Sequence, residues 1–258
     1  MMQTLLPRVA AAALLLSVAR IGLAGAPPGL PDDTAARVSG TVTLVQAVPG
    51  RTVEMRVDGR ALHRVAHVGD VIGPVRLAAG RHVVAFVGPG GVPATATVGL
   101  RQGASVDVVL HRPAAVQGAS VVTSFRTPNR PIRAGWARIL VADTATLAPA
   151  DVRVDNRVVS ANIANGESAS IDLPAGRHLV TLVPTGQRAP AVLGPLKVPV
   201  AAGTVTMVYA VGGPRAGAHR AIVHTVALAN AGGAALGSVH TGTVGLARDL
   251  RVRVFGPG

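Results

Sequence analysis

The chain has 258 residues, 49% hydrophobic, 14% charged and 2% aromatic, with no cysteine and a formal charge of +13 from 25 Lys and Arg against 12 Asp and Glu. A mean hydropathy of +0.44 with so few charges excludes a disordered chain. The lack of cysteine excludes thiolate metal sites, cysteine catalysis, disulfides and a lipid-modified N-terminal cysteine.

At the start of the chain, residues 1–8 open positively, Val9 to Ala19 is an apolar run, and Ala24-Gly25-Ala26 offers the small-x-small pattern read by signal peptidase. Residues 1–26 therefore read as a secretory signal, with cleavage after Ala26 or, because Pro27 follows that bond, after Ala24. The run is shorter than the roughly 20 residues a membrane span needs, so the membrane is met only in transit. An organellar transit peptide is the competing interpretation, since Arg8 and Arg20 occur before any acid. Loss of Arg8 and Arg20 takes the charge from +13 to +11.

After a Pro-rich linker at 27–35, short strands are expected. Val53, Met55 and Val57 alternate with Glu54, Arg56 and Asp58, the period of a half-buried strand. Val83 to Val87 and Val106 to Leu110 are continuous apolar runs, the second broken by Asp107. Asp58-Gly59 and Gly88-Pro89-Gly90-Gly91 supply turns between them. No capped amphipathic helix is evident, so the fold class is all-β.

An internal repeat organises the chain. Met55-Arg56-Val57-Asp58-Gly59-Arg60 recurs as Val152-Arg153-Val154-Asp155-Asn156-Arg157, with Asn in place of Gly at a left-handed turn position. Leu77-Ala78-Ala79-Gly80-Arg81-His82 recurs as Leu173-Pro174-Ala175-Gly176-Arg177-His178, and Arg101-Gln102-Gly103 pairs with Ala201-Ala202-Gly203. The expected organisation is a first β-sandwich repeat at 36–113, a linker at 114–134, a second repeat at 135–213 and a Gly/Ala-rich tail at 214–258. Each repeat has the length of a single immunoglobulin-like sandwich, giving two in tandem.

The order of these features, from the Val152-Arg153-Val154-Asp155-Asn156-Arg157 hairpin through the Leu173-Pro174-Ala175-Gly176 turn to the Gly203-Thr204 turn, with Ala142 to Asp151 ahead of it, resembles the bacterial extracellular domain of unknown function 4397. The family's hairpin tyrosine is Arg56 or Arg153 here. The resemblance implies an exported β-sandwich and carries no catalytic or binding residues with it.

Candidate chemistry is sparse. His63 and His67 have the spacing of zinc-protease ligands, but Arg64 stands where the catalytic glutamate would be. His82 and His178, like Asp58 and Asp155, hold equivalent positions in the two repeats and read as framework. Gly-x-Ser-x-Gly is absent, Ser168, Ser170 and Ser238 have no partners at a usable spacing, and Gly88 to Gly91 lacks a phosphate-loop lysine. Acids are too few to favour paired-carboxylate glycosidase chemistry. No catalytic residue, cofactor or metal is expected. All basic residues except Lys197 are arginines; Arg126, Arg130, Arg133 and Arg138 form the group suited to an anionic polymer. Few aromatics argue against nucleic acid.

The expectation is an exported, non-enzymatic structural or interaction module, secreted or at the cell surface, or periplasmic where an outer membrane exists. Its partner would be another surface protein. The alternative is a binding module for an anionic envelope polymer or carbohydrate, and a secreted hydrolase is the weaker one.

Overall fold

The computed structural model describes residues 39–213 and 219–228. The segment expected to be a secretory signal, the first expected linker and most of the tail lie outside the described residues. Among those described there are strands and turns but no helix, so no helix is long and apolar enough to cross a membrane.

The first half carries β1 (Ser39–Gln46), β2 (Val53–Val57), β3 (Arg60–Ala66), β4 (Val71–Ala78), β5 (Gly80–Val87), β6 (Pro93–Leu100), β7 (Ser105–His111) and β8 (Val121–Arg126). The second half repeats them in order: β9 (Trp136–Asp143), β10 (Ala150–Val154), β11 (Arg157–Ile163), β12 (Ser168–Pro174), β13 (Gly176–Pro184), β14 (Leu193–Val200), β15 (Thr204–Val211) and β16 (Arg220–Ala227). In each half one sheet has the order β4-β1-β7-β8 or β12-β9-β15-β16, and the other β3-β2-β5-β6 or β11-β10-β13-β14. We call the first kind inner sheets and the second kind outer sheets. Neighbours are antiparallel except for β1 with β7 and β9 with β15. This order differs from the antibody constant domain, where strands ABED face CFG, although the two-sheet sandwich architecture is shared.

The hairpins follow from their turn residues. Asp58 and Gly59 have φ of 49° and 78°, and Asp155 and Asn156 have 49° and 65°. Two consecutive left-handed residues make the tight turn whose twist matches the flanking strands, so β2–β3 and β10–β11 are fixed locally. Two further strands fall where the sequence reads as linker and tail. β8 pairs along β7 from Val106↔Arg126 to His111↔Val121, and β16 pairs along β15 from Thr204↔Ala227 to Val211↔Arg220. In the tail, the surrounding glycines and alanines mask the β-branched run Ile222-Val223-His224-Thr225-Val226.

Among the described residues, three cores hold the sheets. Val42, Leu44, Met55, Val84, Phe86 and Val108 fill the space between the two sheets of the first half. Ile139, Val141, Val152, Val180, Leu182 and Val208 do the same in the second. A third core joins the halves: Val45, Val109 and Phe125 meet Leu140, Met207, Tyr209 and Ile222. The inner sheets therefore pack against each other, each covered on both faces, and the stack runs outer, inner, inner, outer. This explains why β1, β7, β9 and β15 are buried almost continuously while β2 alternates. Burying each such Val, Leu or Met contributes about 1.5–3 kcal/mol relative to leaving it exposed.

Candidate functional site

The four arginines singled out as an anion-binding group separate into two kinds. Arg126, Arg130 and Arg133 are exposed. Arg126 donates from Nη2 to the carbonyl of Gly99 at 3.1 Å, and the Arg133 guanidinium lies 3.7 Å from the centre of the Trp136 ring, a cation–π contact.

Arg138 does not belong with them. It lies on β9 in the face of the inner sheet that meets the first half, and it is fully buried. Its Nε and Nη2 donate to the two carboxylate oxygens of Asp172, the latter at 2.8 Å. Nη1 donates to the carbonyls of Pro128 at 2.8 Å and Arg130 at 3.1 Å. A guanidinium can enter such a place only with its donors satisfied. Arg138 therefore fastens the linker to the second half and is unavailable to a polymer. The hydrogen bonds from Arg138, and then its charge, hold the Asp172 carboxyl below its ordinary range.

A second buried polar group was not legible in the sequence. Asp107 of β7 is fully buried in the joint between the halves, and its Oδ2 accepts from the Tyr209 hydroxyl and the His224 Nε2, both at 2.5 Å. Phe125 packs on Tyr209 with ring centres 5.5 Å apart. Burial pushes the Tyr209 pKa up, and the charge and hydrogen bond of Asp107 add to this, so the phenol remains a donor. Farther along the joint, Thr146 Oγ1 donates to the carbonyl of Pro113 at 2.8 Å and Asn165 Nδ2 to that of Arg112 at 3.1 Å.

The repeated Asp and His residues pair with each other. In the first half Asp58 Oδ2 meets His82 Nδ1 at 2.7 Å, and Asp58 Oδ1 accepts the Val83 N–H at 2.9 Å. His82 Nε2 faces the Ala78 carbonyl at 2.9 Å. In the second half Asp155, His178, Leu179 and Pro174 reproduce this geometry. With a carboxylate at one ring nitrogen and a carbonyl at the other, both nitrogens are matched only when both donate, as imidazolium. The Asp58 bond and then the Ala78 carbonyl raise the His82 pKa. For His178 burial pulls downward, but the Asp155 and Pro174 bonds outweigh it and the net change is upward. Asp58 and Asp155 are lowered, first by their histidines and then by backbone N–H groups.

The pairs therefore stabilise the fold in a defined window. The histidine contribution is complete below the ordinary value of 6.5 and is lost as pH rises through the raised folded value. The aspartate contribution is present above the ordinary 3.8 and is lost as pH falls through the lowered one. Replacing both His82 and His178 by Gln should lower the melting midpoint at pH 5.5 by about 2–4 °C, the shift produced by about 1 kcal/mol in a chain of this size, because solvent screens the exposed aspartates. The gap should close by pH 9. A pH-independent gap in thermal scans would contradict the assignment.

The sequence-selected His63 and His67 do not meet at a common centre: His63 Nε2 lies 3.9 Å from Asp70 Oδ2, while the His67 N–H donates to the same carboxylate at 2.8 Å. Among the described residues no three His, Cys, Asp or Glu side chains gather as metal ligands. The fold and these contacts define an all-β protein of stacked four-stranded sheets, its halves bound by a shared core and buried polar pairs. No protein-family model matches the chain, and no curated protein matches it.

Proposed function

We propose that this is an exported, non-enzymatic protein that works at the cell surface or after secretion as a structural or interaction module. In this reading it is a tandem of two sandwiches of the broad immunoglobulin-like architecture, related to the extracellular domain of unknown function 4397. The observation that supports it best is where the buried polar groups are used. Asp107, Tyr209 and His224 bind the halves together, and Arg138, held by Asp172, binds the linker. Such an arrangement suits a rigid two-part body that presents its surface to partners.

A second reading, an anionic-polymer binder, is favoured by one observation. The segment 114–134 carries Arg126, Arg130 and Arg133, all exposed, and no acid. One experiment addresses both readings: fractionate the source cells, sequence the N-terminus of the recovered protein, and wash the envelope fraction with increasing salt. Export predicts an N-terminus at residue 25 or 27 outside the cytoplasm. Polymer binding adds release by salt, weakened when Arg126, Arg130 and Arg133 are changed to Gln. Cytoplasmic protein beginning at Met1 would overturn the first reading; retention indifferent to salt would overturn the second.

A further inference from the structure

The two halves differ at one end of the sandwich. In the second half, the tip formed by the β9–β10 and β13–β14 loops is stitched shut. Thr185 donates to the Pro149 carbonyl twice, from its N–H at 3.1 Å and its hydroxyl at 2.9 Å. Asp151 spans the same tip, accepting the Asn162 N–H at 2.9 Å and the Gly186 N–H at 3.1 Å.

Strand register identifies the first-half counterparts. Glu54 pairs with Val87 as Asp151 pairs with Val183, so Pro89 stands in place of Thr185 and Thr52 in place of Pro149. Proline has neither an N–H nor a hydroxyl to give, and both stitches to the facing loop are lost. Glu54 turns instead to Arg56, with both contacts at 3.1 Å, and leaves the tip unspanned. The result is an open cleft of about 570 Å³ lined by Gly50, Arg51, Thr52, His67, Val68, Pro89 and Gly90. Its volume is in the range of small-molecule sites, about 300–1,000 Å³. Arg51 and His67 are exposed there, and neither side chain has a hydrogen-bond or ion-pair partner among the described residues. The nearby Asp70 is directed to the His67 N–H and towards His63, and no acid among the described residues lines the cleft.

We propose that this cleft binds a small molecule through an oxyanion, a carboxylate or a phosphate, held by the Arg51 guanidinium with the His67 ring and the Thr52 hydroxyl beside it. A guanidinium is always charged and offers paired donors matched to two oxygens, and the described lining presents no competing acid. The site deepens the interaction-module reading, yet its failure would leave the fractionation result untouched.

The test is amide NMR of the full chain titrated separately with inorganic phosphate and with succinate, against sodium chloride at matched ionic strength. Saturable shifts are expected at Gly50, Thr52, Val68 and Gly90. Arg51→Gln should weaken binding about tenfold or more, and Arg60→Gln on the β2–β3 hairpin should leave it unchanged. Pro89→Thr, which restores the donors that close the second-half tip, should weaken it as well. Saturation by phosphate alone assigns a phosphoryl ligand, by succinate alone a carboxylate, and by both an unselective oxyanion site; each supports the proposal. Shifts reproduced by chloride, spread evenly over exposed arginines, or unaltered by Arg51→Gln overturn it.

Discussion

Asp172→Ala is expected to destabilise the protein by about 3 kcal/mol, and Arg138→Met by less, on the order of 1–2 kcal/mol. The order follows from what each change leaves behind. Removing Asp172 strands a guanidinium whose side chain is 1% exposed, with only the Pro128 and Arg130 carbonyls for company. Removing Arg138 takes the buried charge away, fills much of its volume with an apolar stem, and leaves Asp172, 33% exposed, able to regain water. The costs should appear in urea unfolding and as a fall in melting midpoint of about 6–12 °C for Asp172→Ala. Arg138→Met should also speed amide exchange around Arg130, since it removes the donor that holds the Pro128 and Arg130 carbonyls. An Asp172→Ala protein within 0.5 kcal/mol of the parent would refute a structural role for the pair; that margin is about what a surface substitution produces.

This pair also shows where sequence reasoning stops. Chain proximity and charge alone group Arg138 with Arg126, Arg130 and Arg133. The local sequence contained a warning: Ala137, Ile139, Leu140 and Val141 surround it, and a lone arginine inside an apolar strand asks for a buried partner. That partner could not be named, since Asp172 is 34 residues away. The joint between the halves was less legible still. Asp107, Tyr209 and His224 meet across separations of 102 and 117 residues, and nothing local marks them as one group. By contrast, the hairpins at Asp58-Gly59 and Asp155-Asn156, the alternation of β2 and the repeat itself are local properties, and the structure carries all of them. Equivalence of the halves was legible as a list of matching segments; the differences that open one tip and close the other lie in side-chain hydrogen bonds, where Pro89 and Thr185 look like ordinary loop variation.

Asp143→Asn is expected to stabilise the protein above neutral pH and to change little at pH 4. Asp143 ends β9 fully buried; its Oδ1 accepts the Ala145 N–H at 3.0 Å, and its Oδ2 has no hydrogen-bond partner among the described residues. Burial pushes its pKa up to about 7, against the smaller opposite pull of the Ala145 N–H. The corresponding residue of the first half is Gln46, a neutral amide that accepts the Val48 N–H at 2.9 Å and donates to the Arg51 carbonyl at 2.9 Å. One framework position thus carries a satisfied amide in one copy and a carboxyl that resists ionisation in the other. A group whose folded pKa is raised contributes stability that is complete below its unfolded value of 3.8 and is lost as pH rises through the folded value near 7. The full linkage would be about 4 kcal/mol at 1.36 kcal/mol per pH unit, an upper bound because the corner can relax and admit water. A gain on the order of 2 kcal/mol for Asp143→Asn at pH 8 is therefore the expected value, shrinking to near zero at pH 4, where the carboxyl is already protonated in the fold. Urea unfolding of both proteins from pH 4 to 9 measures the difference, and parallel stability curves would disprove the titration. The same corner holds Thr146 against Pro113 and Asn165 against Arg112. Ionisation of Asp143 should consequently loosen the joint between the halves first, with faster amide exchange at Thr146 and Gly166 in the parent at pH 8 than in Asp143→Asn, after correction for intrinsic exchange rates.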